Sequence, residues 1–215
     1  MNIKCAIFDF DGTLFDSMPV WKGLKFTFFE NLGLTLTEED KKIFSGLFLM
    51  EALPLAKKHF KLQESIETLY AMFWDLLTKK YLESALPKND IIKFLESLKS
   101  NGVKMGIATA TGEQALIPLL KKYNMLHYFT SIYSTYTVNA PKSNPKVYDV
   151  VREELGCDKK DTWIFEDALY AAKTAKANGY NVVGIFDESE ANQNTLKETV
   201  DIYIKNYNEL FVSKS

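Results

Sequence analysis

The feature that most constrains the chain is an acidic turn at the end of its first apolar segment. The run Cys5–Phe8 is uniformly apolar, which is typical of a buried strand. Two carboxylates at positions i and i+2, Asp9 and Asp11, follow at once, and Gly12 then permits a sharp turn. In open α/β sheets, ligands bind beyond the carboxyl ends of the strands. Both acids are therefore predicted to stand at the edge of a ligand site.

The spacing of these two acids also predicts a bound cation. Asp9 and Asp11 carry like charges that repel each other at close range, and protonation would remove their value as ionic ligands. A divalent cation is the simplest way to keep both carboxylates ionised. The competing interpretation is a polar turn, because Asp11-Gly12 is also a hairpin signal.

Composition narrows the class of protein. The chain has 215 residues, of which 47% are hydrophobic and 25% charged, which is ordinary for a globular protein of one or two domains. Its net charge of -2 gives no indication of a nucleic-acid partner or of an anionic membrane surface. No apolar run approaches the roughly 20 residues that a membrane-spanning helix needs.

The same features predict where the protein works. Acidic residues interrupt the apolar N-terminal stretch, so we expect no signal peptide. The two cysteines, Cys5 in the first strand and Cys157 after a helix end, do not suggest a disulfide framework, and this favours a reducing compartment. We therefore expect a cytoplasmic protein that is a monomer or, as the alternative, a dimer.

Six short apolar segments are separated by helical patterns. This alternation predicts an α/β fold with parallel pairing, a Rossmann-like three-layer α/β/α domain. Residues 16–83 lack any strand signal and predict a bundle of about four inserted helices. Residues 1–15 and 84–215 then form the main domain. The predicted strands cover residues 5–8, 103–108, 131–137, 162–165, 182–186 and 202–204.

Small polar residues follow the second predicted strand. Thr109, Ala110 and Thr111 end this strand. Thr111 with Gln114 suits a reciprocal N-terminal cap of the next helix. A strand end, a turn of small residues and a helix N-terminus together form an anion site. Taken alone, Thr109 is also an ordinary β-branched residue at a strand end.

Two further segments carry charge next to predicted strands. Lys142 lies in a loop before a helix, for which Asn144 is the expected N-cap and Pro145 the first helical residue. A lone loop lysine is usually solvent-exposed and on its own indicates little. Glu166 and Asp167 follow the fourth strand and form a second acidic site in a chain that already has one.

Together these segments resemble a known family. Residues 9–14, Asp-Phe-Asp-Gly-Thr-Leu, follow an N-terminal apolar strand and resemble the signature of the haloacid dehalogenase-like hydrolase superfamily. The segments around Thr109, Lys142 and Asp167 fit the same family in the same order, so the resemblance covers nearly the whole chain. It indicates the beta-phosphoglucomutase-like and phosphoglycolate phosphatase-like subgroup, which has a helical cap.

The resemblance implies a two-step phosphoryl transfer that depends on Mg²⁺. Asp9 would attack phosphorus and become an aspartyl-phosphate, while Asp11 would act as general acid and then general base. The cation would be held by Asp9, Asp167 and the backbone carbonyl of Asp11. Glu166 would stand beside it or on its waters. The implied substrate is a small phosphorylated metabolite.

The resemblance also implies a phosphoryl-binding set and a cap. Thr109 and Lys142 would hold the phosphoryl oxygens, with Ala110 next to Thr109. The inserted helices would close over the site and exclude water. Three positions depart from the family pattern, in which Pro, Ser and Gly are common: Ser143, Ala168 and Ala171.

Four other functions compete with a phosphatase. A haloacid dehalogenase needs no metal and typically lacks the second carboxylate, so Asp11 and Asp167 argue against it. A beta-phosphoglucomutase-like mutase shares the motifs, but residues 45–50 are apolar where its phosphate-gripping basic residue is expected. A phospho-accepting signalling domain usually has adjacent acids after its first strand, unlike the i, i+2 spacing here. The intact motif set argues against a non-catalytic scaffold but leaves it open.

Overall fold

Most strands of the molecule belong to one parallel sheet. The computed structural model describes residues 3–211. In chain order its strands are β1 Cys5–Phe8, β2 Phe15–Asp16, β3 Leu86–Pro87, β4 Lys104–Thr109, β5 Ser131–Ser134, β6 Thr162–Glu166, β7 Asn181–Ile185 and β8 Ile202–Ile204. The main sheet has the order β5-β4-β1-β6-β7-β8, and every neighbouring pair in it is parallel. The predicted α/β fold is confirmed.

Helices precede or follow nearly every strand. They are α1 Met18–Trp21, α2 Leu24–Asn31, α3 Glu38–Ser45, α4 Leu49–His59, α5 Ile66–Ser84, α6 Ile91–Ser100, α7 Glu113–Lys122, α8 Lys146–Leu155, α9 Leu169–Ala177 and α10 Gln193–Thr199. Short 3-10 turns cover Leu126–Tyr128, Lys159–Asp161 and Tyr207–Leu210. Within residues 3–211, no helix has both the length and the apolarity that crossing a membrane requires.

The central strand β1 is covered on both faces. Its four side chains are fully buried and alternate between two hydrophobic cores. Ala6 and Phe8 join the core that includes side chains of α6 and α7, whereas Cys5 and Ile7 join the core that includes side chains of α8 and α9. Burial on both faces explains the uniformly apolar sequence of β1 and gives the three predicted layers.

Helices α1 to α5 are inserted between β2 and β3. These two short strands pair antiparallel, with Phe15 opposite Pro87, so the chain leaves and re-enters the main domain at adjacent points. We call Met18–Ser84 the helical insertion. It contains five helices where about four were predicted. The difference arises because Gly23 has a left-handed φ of 76°, which an α-helix does not allow. Gly23 therefore separates α1 from α2 and serves as the N-cap of α2.

The division into two domains stays a prediction. A core of residues 1–15 and 84–215 and a cap of residues 16–83 agree with the position of the helical insertion. Residues 1–2 and 212–215 of that predicted core lie outside the described range.

Pro54 does not break its helix. The sequence predicts a kink or break there, but α4 runs through it from Leu49 to His59. Proline has no N–H, so the carbonyl of Met50 four residues earlier loses its helical donor. The hydroxyl of Tyr70 in α5 donates to that carbonyl at 3.4 Å. A neighbouring helix thus supplies the missing hydrogen bond.

Two element boundaries differ from those predicted. Strand β5 ends at Ser134, not at residue 137, because its carbonyl accepts a turn hydrogen bond from the N–H of Val138 at 3.1 Å. Helix α8 begins at Lys146, with Pro145 as N-cap. The side chain of Asn144 still caps the first turn, since its Oδ1 accepts from the N–H of Lys146 at 2.9 Å.

The prediction that the two cysteines form no disulfide framework is wrong. Cys5 and Cys157 form a disulfide, with Cα atoms 6.4 Å apart. The turn between α8 and β6 brings them together, because it passes the start of β1, where the N–H of Lys4 donates to the carbonyl of Asp161 at 3.1 Å. A separation of 152 residues carries no local signal for this pairing.

Candidate active site

Two adjacent strands bring three carboxylates to one edge of the sheet. Strands β1 and β6 pair in parallel with Phe8 opposite Phe165, so Asp9 and Glu166 follow at the same level. Asp9, Glu166 and Asp167 are buried, and each places a carboxylate oxygen within 4.8 Å of the others. The two acidic segments predicted from the sequence therefore meet in space.

Lys142 lies between two of these acids. Its buried Nζ is 2.6 Å from Asp9 Oδ1 and 2.5 Å from Glu166 Oε1. Tyr148, from the helix that follows the Lys142 loop, donates its hydroxyl to the same Glu166 oxygen at 2.9 Å. Burial by itself lowers the pKa of Lys142, but the two carboxylates outweigh it and raise that pKa above its usual value. The lysine is thus a charged member of the cluster and not an exposed loop residue.

Among the described residues, the cluster has more carboxyl groups than cationic groups. Burial raises the pKa of Asp9 to about 7, with Lys142 opposing the rise and Glu166 adding to it. Burial, together with Asp9 and Glu166, also raises the pKa of Asp167 well above its usual range. Three carboxylates therefore share one lysine among the described residues. An added cation would relieve this crowding.

The donor set fits a hard divalent cation. Asp9 Oδ1 is buried 2.6 Å from Lys142 Nζ, and Asp9, Glu166 and Asp167 each place a carboxylate oxygen within 4.8 Å of the others. Carboxylate oxygens, without sulfur or imidazole, suit Mg²⁺ and similar ions.

The turn after Asp9 is shaped around Asp167. Gly12 has a left-handed φ of 75°, and a Cβ added there would collide with the carboxylate of Asp167. The neighbouring Thr13 donates its hydroxyl to Asp167 Oδ1 at 2.9 Å. Glycine is therefore required both by conformation and by close approach. Thr13 is a site residue that the sequence reasoning did not single out, although it lies inside the first motif.

The side chain of Asp11 lies apart from the three clustered carboxylates. Its Oδ2 accepts from Thr111 Oγ1 at 2.5 Å, and its Oδ1 accepts from Ser17 Oγ at 2.6 Å and from the hydroxyl of Tyr81. The prediction that Thr111 caps α7 is wrong, because Gly112 occupies the N-cap and the Thr111 hydroxyl is used on Asp11. This placement is compatible with Asp11 contributing its backbone carbonyl to a metal and its side chain to proton transfer.

Thr109 and Ala110 stand at the same edge of the sheet. Strands β1 and β4 pair with Phe8 opposite Ile107, which places Thr109 level with Phe10, between the two acids of the turn. Thr109 is buried, and its Oγ1 accepts from the N–H of Thr111 at 3.0 Å. Ala110 is exposed. The structure thus brings every predicted site residue to the carboxyl-terminal edge of three neighbouring strands.

Three further side chains reach the predicted residues without a recognisable sequence signal. They come from the insertion, from its entry and from the helix after the lysine loop: Tyr81, Ser17 and Tyr148. A tyrosine in an amphipathic helix ordinarily indicates packing, so only the folded structure could find two of them.

A comparison with family models covers most of the chain. The model described as haloacid dehalogenase-like hydrolase matches residues 6–185. The chain belongs to this family. The resemblance inferred from the four motif segments is therefore confirmed.

The curated relatives of this haloacid dehalogenase-like hydrolase include phosphatases. A phosphorylated carbohydrates phosphatase of Thermotoga maritima is 24% identical over 193 residues, which cover 88% of this chain and 89% of that protein. A phosphoglycolate phosphatase of Nitrosococcus oceani is 25% identical over 185 residues, with 84% and 82% covered. The chain is thus an enzyme, a hydrolase of the phosphatase type in this family.

Solved structures share the fold. CbbY from Rhodobacter sphaeroides, determined in complex with phosphate, superposes with a TM-score of 0.81 at 18% identity, over 97% of this chain and 96% of that one. At such low identity the likeness concerns the fold alone. It agrees with the parallel sheet and the inserted helices described above.

Proposed function

We propose that the protein is a Mg²⁺-dependent phosphatase that acts on a small phosphorylated metabolite through an aspartyl-phosphate. Candidate substrates are a sugar phosphate, phosphoglycolate or a nucleotide-like phosphate, the first two being named for its relatives. The observation that carries the proposal is the buried cluster of Asp9, Lys142, Glu166 and Asp167 at the carboxyl ends of β1 and β6.

Asp9 is the proposed nucleophile. Its carboxylate would form a bond to phosphorus while the bond from phosphorus to the substrate alcohol breaks. Water would then cleave the acyl phosphate, which regenerates Asp9 and releases inorganic phosphate. Support comes from the position of Asp9, which is buried beside Lys142 and belongs to the same cluster as Glu166 and Asp167.

The metal would be held by Asp9, Asp167 and the backbone carbonyl of Asp11, with Glu166 adjacent. When bound, Mg²⁺ would offset the repulsion between a carboxylate nucleophile and a phosphate dianion. Thr13 would keep the Asp167 carboxylate oriented by its hydrogen bond at 2.9 Å.

The remaining residues would handle the phosphoryl oxygens and the proton. Lys142 and Thr109, with Ala110 beside it, would bind phosphoryl oxygens, because a cation and a hydroxyl stabilise the charge that spreads over them. Asp11 would protonate the leaving alcohol and then deprotonate the attacking water. Its carboxyl group is held by hydroxyl donors apart from the metal-binding acids, which suits a separate role.

The helical insertion would serve as the cap over this site, with residues 16–83 as its extent. Phe48, in the loop between α3 and α4, is 60% exposed and places its ring 5.7 Å from that of Tyr170 at the start of α9. Residues 45–50 carry no basic side chain, and the resemblance places the phosphate-gripping residue of a mutase in this segment. Hydrolysis is therefore favoured over mutase activity.

A cytoplasmic location stays part of the proposal, although the Cys5–Cys157 disulfide removes the argument from the cysteines for a reducing compartment. We expect a monomer, with a dimer as the alternative.

The test is turnover of a panel of phosphorylated metabolites and a generic aryl phosphate with Mg²⁺. Steady release of phosphate from at least one of them is expected, with loss on chelation by EDTA and recovery when Mg²⁺ is restored. Activity that is unchanged by EDTA would exclude the proposed role of Mg²⁺ in the reaction. A single phosphorylation event without turnover would favour a signalling domain, and dependence on a bisphosphate activator would favour a mutase.

A further inference from the structure

Three hydroxyl groups from three parts of the chain meet at the carboxyl group of Asp11. Thr111, after β4, donates to Oδ2 at 2.5 Å, and Ser17, at the entry to the helical insertion, donates to Oδ1 at 2.6 Å. The third donor is the hydroxyl of Tyr81, from the last turn of α5, which also binds Oδ1. The orientation of Asp11 is therefore set partly from outside its own loop.

The direction of the Tyr81 hydrogen bond is determined by its second partner. The indole Nε1–H of Trp21 in α1 lies 3.0 Å from the Tyr81 hydroxyl oxygen. Indole is a donor only, so the tyrosine oxygen accepts from it and its own O–H is free to donate to Asp11.

The arrangement does more than fill space. Tyr81 is fully buried, and its ring packs with a centroid 5.8 Å from that of Phe10, a contact that phenylalanine could make equally well. The Tyr81 hydroxyl adds a hydrogen bond to Asp11, and its oxygen accepts a second hydrogen bond from the indole of Trp21. Among the side chains of the helical insertion, which is described throughout, Tyr81 is the one that hydrogen-bonds a predicted site residue.

We propose that Tyr81, supported by Trp21, is a positioning residue that aims the carboxyl group of Asp11 at the leaving-group oxygen of the substrate. This inference rests on the proposed role of Asp11 in the phosphatase reaction. Tyr81 belongs to the helical insertion and Asp11 to the loop after β1, so this hydrogen bond joins the two parts of the molecule.

The experiment compares two substrates that differ in their need for an acid. An aryl phosphate expels a weakly basic phenolate, whereas an alkyl phosphate, such as a sugar phosphate, expels a strongly basic alkoxide that must be protonated. We measure kcat/KM with Mg²⁺ for both substrates, since this ratio covers only the steps through release of the first product. Tyr81→Phe is expected to lower the alkyl value much more, raising the aryl-to-alkyl ratio by about 10-fold or more.

Two further variants make the result specific. Tyr123→Phe is the matched control, since the Tyr123 hydroxyl donates to the carbonyl of Ala85 at 3.1 Å, and not to Asp11, while its ring packs against Phe15. It should leave the ratio unchanged. Trp21→Phe removes the supporting donor and should raise the ratio by a smaller factor. It also keeps the test valid if Tyr81→Phe does not fold.

Asp11→Asn separates failure of this inference from failure of the proposed function. If Asp11→Asn raises the ratio but Tyr81→Phe and Trp21→Phe do not, Asp11 is the acid and the positioning role is wrong. If Asp11→Asn leaves the ratio unchanged, Asp11 is not the general acid, and the positioning role of Tyr81 is then wrong as well. An equal rise with Tyr123→Phe would also overturn the inference, because any lost tyrosine hydroxyl would then have the same effect.

Discussion

The two sides of the candidate site are held in place by different forces. On the sheet side, charged residues stand at strand ends, and main-chain hydrogen bonds between β1 and β6 bring them together. On the helical side, aromatic packing dominates, as in the ring contact between Trp21 and Phe73 at 6.0 Å between centroids. The sheet side is therefore positioned by backbone register, and the helical side by side-chain fit.

This difference has an energetic consequence. Buried charges on the sheet side are costly unless all partners are present, so removing one partner should have a large effect. Hydrogen bonds and ring contacts on the helical side are individually small, and their loss should be tolerated. Four variants, ordered from the largest expected effect to the smallest, test the contrast.

The largest effect is expected for Asp9→Asn. An amide cannot form the acyl phosphate, so turnover with Mg²⁺ should fall by at least about 10⁴-fold. The protein should stay folded, because the change removes one negative charge from a crowded cluster. Phosphate release and circular dichroism together check this. Retained turnover would remove Asp9 as the nucleophile.

Lys142→Met tests the buried charges of the sheet side. It leaves Glu166 and Asp9 without their shared cation, and the free energy of unfolding should fall by about 3 kcal/mol at neutral pH without metal. Adding Glu166→Gln to the variant should recover part of the loss. Urea unfolding measures both. A loss below ~1 kcal/mol for the single variant would mean that the cluster is not energetically coupled.

Asp187→Asn tests an ion pair of the main domain, close to the point where the chain returns from the helical insertion. Lys88, directly after β3, places its Nζ 2.6 Å from Oδ2 of the buried Asp187, which follows β7. Burial acts to raise the pKa of Asp187, but hydrogen bonds from Lys88 and Ser189 lower it below its usual value. A lowered pKa in the folded state stabilises the protein above the unfolded-state pKa, and this stabilisation is lost as the pH falls through the folded-state value.

The variant should therefore cost about 1–2 kcal/mol at pH 7, and the difference from the wild type should shrink below about pH 4. Urea unfolding at both pH values makes the comparison. A difference that does not change with pH would show that the ion pair contributes nothing.

The smallest effect is expected for Tyr70→Phe, within the helical insertion. It removes the donor to the Met50 carbonyl that Pro54 leaves free in α4, at a cost of about 0.5–1 kcal/mol. Thermal unfolding is precise enough to detect it. If Tyr70→Phe lowered the free energy of unfolding as much as Lys142→Met does, the proposed difference between the two sides would be wrong.

Predictions from the sequence were most successful for the strands themselves and for the functional side chains that directly follow a strand. The strand at Ile202–Ile204, the apolar β1 and the acidic turns after β1 and β6 were all predicted, because the period of buried residues and the turn residues are local signals. Predictions failed where a distant partner decides the outcome. The sequence predicts Thr111 as a helix cap, but in the structure its hydroxyl donates to Asp11. The sequence also predicts a kink or break at Pro54, but the hydroxyl of Tyr70 donates to the Met50 carbonyl that Pro54 leaves without a helical donor.

The sequence by itself determined the family, the parallel sheet and the candidate carboxylates, because each lies in a short segment whose pattern can be recognised alone. Only the tertiary structure decided that Tyr81 and Trp21 reach Asp11, that Cys5 pairs with Cys157, and that Lys142 is buried. The reason is physical. Register and turns depend on neighbours in the chain, whereas these contacts depend on how separately formed helices and loops pack against one another.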